Sequence, residues 1–189
     1  GSEEQLTKGS WEVTSFDGLD SDKMQIYFRS TEDGSVNRSL YMLDLETGKR
    51  EKLSTQNGTN SVKFSKGLKY YINTYSNANT PPVYSLHKAD GSLVKIIEDN
   101  TEFTSKMKDY NLSQKEIFTI YTEKADLNAW IIKPPNFDEN KKYPLLMFLY
   151  GGPGSQKVLN RYGGSNFYWF QMLAQKGYVV ACVDNRGTG

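Results

Sequence analysis

Tyr150 ends an apolar run and heads a glycine-rich loop, and no other stretch of the chain is so well suited to chemistry. Pro144 opens the run, Leu145 to Leu149 continue it without a polar break, and Gly151, Gly152, Pro153 and Gly154 end it. A phenolic hydroxyl and several backbone N–H groups therefore share one short loop. Donors of this kind suit a reaction in which negative charge builds up on an oxygen. Glycine, lacking Cβ, lets the main chain come close to a ligand. An unbroken apolar run bounded by turn residues predicts a strand buried on both faces, here Leu145 to Tyr150. At the carboxyl ends of such strands, α/β sheets bind their ligands.

The partners for hydrolytic chemistry are scarce. A Ser-His-Asp relay needs a histidine as general base, and the chain has one, His87. It alternates with Tyr84, Leu86 and Lys88, far from the glycine loop, and reads as a half-exposed strand residue. Cys182, the single cysteine, lies in the apolar run Gly177 to Val183 and reads as a buried strand residue rather than a nucleophile. The 23 Lys and Arg balance 22 Asp and Glu, so no basic surplus points to nucleic acid or an anionic membrane. No apolar run is long enough to span a bilayer. The amino end carries no signal peptide, and Gly1-Ser2 reads as a cloning remnant.

The first half repeats itself. Leu40-Tyr41-Met42-Leu43 lines up with Val83-Tyr84-Ser85-Leu86 at a spacing of 43 residues, which also brings Tyr27-Phe28 onto Tyr70-Tyr71. Short alternating runs, such as Met24 to Phe28, Leu40 to Leu45 and Ser61 to Ser65, are separated by Asp33-Gly34, Gly48, Asn57-Gly58 and Asp90-Gly91. These are strand and hairpin signals. A period in the forties with about four strands per copy predicts two propeller blades. The alternative is a small antiparallel sandwich. Two blades do not close a ring, so the sequence reads as cut from a longer chain.

The second half changes character. Phe103, Met107 and Tyr110 have helical spacing, so a short helix is expected over 101–110. Strands are expected at Lys115 to Tyr121 and Asn128 to Lys133, the latter stopped by Pro134-Pro135. After the glycine loop, Asn166 to Lys176 predicts a helix capped by Ser165 or Asn166 and ended by Gly177. Tyr178 to Val183 predicts a second buried strand. The alternation of strand and helix means α/β, with one crossover present.

With these pieces assembled, the chain resembles the dipeptidyl peptidase IV family within the prolyl oligopeptidase superfamily of serine peptidases. The matching stretches are Leu6 to Val13, Val62 to Lys66, Tyr84 to His87, Glu98 to Asn100, Pro134 to Asp138, Lys141 to Leu146, Tyr150 to Lys157 and Asp184 to Gly189. They follow the family's order along almost the whole chain.

The resemblance implies a multi-domain fold: antiparallel β-propeller blades, then the first part of an α/β-hydrolase sheet. Residues 3–100 would be the last two blades, 101–112 a helical linker, and 113–189 the start of the hydrolase domain. In α/β-hydrolases the loop after the third strand supplies part of the oxyanion hole. Tyr150 would donate its hydroxyl to the oxyanion, and Gly151, Pro153, Gly154 and Gln156 would line the pocket on the leaving-group side. The implied activity is release of N-terminal dipeptides after Pro or Ala, without cofactor or metal, by an extracytoplasmic homodimer. The rivals are a prolyl tripeptidyl peptidase, an acylaminoacyl peptidase, or an inactive binding protein on the same scaffold. The family's Gly-x-Ser-x-Gly elbow does not occur in these residues, so they are expected not to hydrolyse peptides by themselves.

Overall fold

The computed structural model describes residues 3–152 and 154–188. These fall into two compact units. Residues up to 75 form one together with 83–99, and residues 76–82 form the other together with 100 onward.

The first unit is two four-stranded sheets, each a simple meander. One comprises β1 (Val13–Asp20), β2 (Gln25–Ser30), β3 (Ser39–Asp44) and β4 (Arg50–Lys52). The other comprises β5 (Thr59–Phe64), β6 (Tyr70–Ser76), β7 (Val83–Lys88) and β8 (Leu93–Glu98). The β1–β4 pairings are antiparallel, as are β6 with β7 and β7 with β8. This mostly antiparallel build is consistent with propeller blades.

Period-two alternation gives each strand two faces. Tyr27 and Leu40 point to one face of the first sheet; there they pack with Leu53 and with Tyr71 and Ala89 of the second. The ring of Phe64 lies 4.6 Å from Tyr27 and 5.0 Å from Tyr71, tying the two sheets together. A buried amide pair adds direction, with Asn73 Nδ2 donating to Asn60 Oδ1 at 3.0 Å and Asn60 Nδ2 to the Arg38 carbonyl at 2.9 Å. Phe28, Tyr41 and Leu43 occupy the other face of the first sheet, beside Trp11. His87 stacks on Tyr71 with ring centroids 5.0 Å apart. Its Nε2 is 2.8 Å from Ser85 Oγ and its Nδ1 is 2.9 Å from the Gly91 carbonyl oxygen, so both ring nitrogens are engaged within the sheet.

The second unit begins with a short helix, α1 (Thr101–Met107), and a 3-10 turn, Lys108–Tyr110. A mixed sheet follows, in the order β11-β12-β10-β9. Its strands are β9 (Lys115–Tyr121), β10 (Asp126–Ile132), β11 (Leu145–Phe148) and β12 (Val179–Val183). The hairpin β9–β10 is antiparallel, β10 meets β12 antiparallel, and β11 runs parallel to β12. Helix α2 (Phe167–Gln175) connects the two parallel strands.

The register places Trp130 opposite Cys182 and Cys182 opposite Phe148. Phe170 of α2 closes over that row, 5.4 Å from Trp130 and 5.2 Å from Phe148. The Cys182 thiol is buried beneath it and pushed up to about 12 by desolvation, with Asp184 adding to the rise, so it is held protonated.

Two expectations need correction. The run from Leu145 is not a strand buried on both faces: β11 stops at Phe148, Leu145 is 57 % exposed, and Met147 and Leu149 are exposed as well. Phe170 of α2 packs on Phe148, and among the described residues β11 has a neighbouring strand on one side only. The α2 cap also differs. Asn166 occupies the N-cap position but makes no side-chain capping bond. The other end stops as expected, with Gly177 at φ +88 and the Tyr178 N–H returning to the Leu173 carbonyl at 3.0 Å.

The inter-sheet core of the first unit sets its stability. Leu40→Ala is expected to cost about 2–5 kcal/mol, whereas Phe16→Ala, at an exposed position of β1, should stay within about 0.5 kcal/mol. Urea unfolding of the two purified variants checks the contrast, and equal costs would contradict this placement of the core.

Candidate functional site

The glycine loop leaves the end of β11 and returns beside β12. Gly151 takes φ +77, a left-handed conformation that side chains disfavour. Gly152 matters for a different reason. A Cβ there would lie 2.9 Å from Cε1 of Tyr150, so a side chain at 152 would push the Tyr150 ring from this position. Tyr150 itself is 60 % exposed and is not packed into the interior. The ammonium of Lys157 stands 4.9 Å above the centre of its ring, a cation–π contact that puts positive charge beside the phenol.

Lys157 is held there through its main chain. Its N–H is 3.0 Å from both carboxylate oxygens of Asp184, and the Val158 N–H donates to Oδ2 at 2.7 Å. Indole Nε1 of Trp130 donates to the Lys157 carbonyl at 3.2 Å. Asp184 is buried and its own N–H donates to the Asn128 carbonyl at 3.0 Å. The returning arm of the loop is thus fastened to β12 and β10.

The candidate residues are only partly brought together. Gln156 turns its Nε2 to the Val158 carbonyl at 3.0 Å and lines a cavity of about 200 Å³ beneath α2. Tyr150, Gly151 and Gly154 are not among the residues lining that cavity. Pro153 lies outside the described residues. Among the described residues no cluster of three His, Cys, Asp or Glu could hold a metal ion.

The cavity contains a residue that strand periodicity did not single out. Lys115, the first residue of β9, is only 8 % exposed. Asn79 fixes its backbone on both sides: Lys115 N–H donates to Oδ1 at 2.8 Å, and Nδ2 donates to the Lys115 carbonyl at 3.1 Å. Its Nζ donates to the Arg161 carbonyl at 2.8 Å. Burial, helped by the positive charge of Arg161, pulls the ammonium down to about 8.

Residues 1–82 match the family model described as the dipeptidyl peptidase IV (DPP IV) N-terminal region. Similarity to dipeptidyl peptidases continues beyond that match. Dipeptidyl peptidase 4 of Arthroderma otae is 36% identical over an alignment covering 100% of this chain and 25% of the relative. Dipeptidyl peptidase 4 of Trichophyton equinum is 35% identical with the same coverage. The crystal structure of Porphyromonas gingivalis dipeptidyl peptidase 4 superposes with a TM-score of 0.91 at 43% identity, covering 99% of this chain and 26% of that one. The chain therefore spans about a quarter of the length of these relatives.

Two measurements probe the site. Asp184→Asn removes one of the two acceptor oxygens and the charge; it should cost about 1–3 kcal/mol and speed amide exchange at Lys157 and Val158. Unchanged exchange there would show that the carboxylate does not hold the loop. For Lys115, the ordinary value of 10.5 and the folded value of about 8 bracket a window in which the unfolded chain holds the extra proton. Stability attributable to this residue is therefore full above that window and lost as pH falls through it. Wild type should gain on Lys115→Met as pH rises across the window, read from urea midpoints, and a pH-independent difference would reject the assignment.

Proposed function

We propose that this chain is part of a serine exopeptidase of the dipeptidyl peptidase IV family, one that releases dipeptides from the amino ends of peptides with Pro or Ala in second position. The observation that carries this reading is the superposition on the Porphyromonas gingivalis dipeptidyl peptidase 4, which extends over 99% of the chain at 43% identity. Under this reading residues 3–100 are the last two blades of a propeller, residues 101–112 are a linker, and residues 113–189 begin an α/β-hydrolase sheet. The two four-stranded meanders support the first assignment. The parallel β11–α2–β12 unit attached to an antiparallel hairpin supports the last.

Tyr150 then supplies the chemistry of these residues. A serine from elsewhere in the protein attacks the carbonyl after Pro or Ala, and its proton passes to a histidine, also outside these residues. The carbonyl oxygen gains negative charge as the tetrahedral intermediate forms. The Tyr150 hydroxyl and a backbone N–H donate to that oxygen. Lys157 contributes positive potential beside the phenol. Gly151, Pro153, Gly154 and Gln156 line the leaving-group side. The working protein is a homodimer and needs neither cofactor nor metal.

Removing one oxyanion donor typically costs about 100- to 1,000-fold in kcat. Tyr150→Phe in the full-length protein should therefore lower kcat for a Gly-Pro p-nitroanilide by about that factor, with KM and the circular dichroism spectrum little changed. Unaltered turnover would reject the role of Tyr150. Release of tripeptides rather than dipeptides from a longer peptide would reject the substrate assignment.

A further inference from the structure

The cavity beneath α2 combines two kinds of wall. Trp130, Phe148 and Phe170 make it aromatic, while Lys115 and Arg161 make it cationic. Register explains the combination: Lys115 pairs with Ile132 across β9 and β10, so its side chain shares the sheet face that carries Trp130 and Phe148.

Lys115 is an unusual choice for that place. An ammonium has three donors, and one goes to the Arg161 carbonyl. Among the described residues neither Lys115 nor Arg161 forms an ion pair. A buried charge without a counter-charge is costly, and an apolar side chain of similar length would avoid the cost. Yet Asn79 clamps both backbone groups of Lys115. The volume of about 200 Å³ is below the roughly 300–1,000 Å³ typical of drug-sized ligands. An occupant must be small, and to satisfy both walls it must be anionic at one end and apolar at the other.

We infer that this cavity binds a monocarboxylate on a short apolar stem, its carboxylate against Lys115 and Arg161 and its stem against Trp130, Phe148 and Phe170. The carboxylate accepts charge-assisted hydrogen bonds from the ammonium and supplies the missing counter-charge. The stem covers aromatic surface that water would otherwise wet. Tyr150 does not line this cavity, although Gln156 and Lys157 of the same loop do.

The test is calorimetric titration of the full-length protein at pH 7 with 3-phenylpropionate. Inorganic phosphate serves as a probe without the stem, and 3-phenylpropanol as a probe without the charge. Saturable binding of 3-phenylpropionate is expected, weakened about tenfold or more in Lys115→Met. Arg161→Gln, which alters an exposed side chain and leaves the fold alone, should weaken it about threefold or more. The alcohol should bind about tenfold more weakly than the acid. Tyr150→Phe should leave the affinity unchanged, which keeps this result independent of the peptidase reading. No binding by wild type, equal affinity in wild type and in Arg161→Gln and Lys115→Met, tighter binding of the alcohol, or binding of phosphate in place of the carboxylate would each overturn the proposal.

Discussion

The carboxylate of Asp184 is what the glycine loop depends on. A buried carboxylate is costly unless hydrogen bonds replace its water, and buried backbone N–H groups in a loop are costly for the same reason. Here each solves the other's problem, because the N–H groups of Lys157 and Val158 converge on one side chain. Asp184 follows β12 directly, and β12 pairs with β11, where the loop begins. Departure and return are therefore fixed to neighbouring strands. Trp130 on β10 takes the Lys157 carbonyl and completes the closure across a third strand. From that fastened backbone the Lys157 ammonium reaches over the Tyr150 ring.

The first unit shows how far an internal repeat carries structural equivalence. Tyr27 and Tyr70 sit 43 residues apart in matching strands, yet Tyr27 is 1 % exposed and Tyr70 is 44 % exposed. The repeat fixes strand order and which side chains share a face. It does not fix burial, because burial depends on what lies against each face. Tyr27 faces the second sheet and meets Phe64; Tyr70 points to that sheet's other side. Along β8 both faces are exposed, as Leu93, Val94, Ile96 and Ile97 show.

The same distinction governs what was legible in the sequence. The two meanders could be read because alternation and turn residues are local signals, and the spacing of 43 residues carried the strand order. The Tyr150 loop was visible because glycines and an apolar run are neighbours in the chain. Asp184 stands in the stretch Asp184 to Gly189 that follows a strand, and its bonds to residues 26 and 27 positions earlier lie beyond any local pattern. In the sequence Lys115 is no more than the first residue of an expected strand, while Asn79, 36 residues away, fixes its backbone. Leu145 to Leu149 misled for a related reason. Unbroken apolarity shows that both faces tolerate burial, but among the described residues only Phe170 of α2 packs against β11, at Phe148, and Leu145 and Met147 are left exposed.

Local rules and tertiary structure agree through most of the second unit: apolar side chains of β10 and β12 meet α2, and Gly177 ends the helix. They disagree in several places, two of which bear on the candidate site. Tyr150 is largely exposed, as Tyr121 and Tyr168 are, and a cation is enclosed at Lys115. Asn79 fixes the backbone of Lys115, and Asp184 fixes the backbone of the lysine whose ammonium lies over the Tyr150 ring. Departures that merely reflected loose packing would need no such support. Where a fold maintains an unfavourable placement with directed hydrogen bonds, the placement itself is what the sequence specifies.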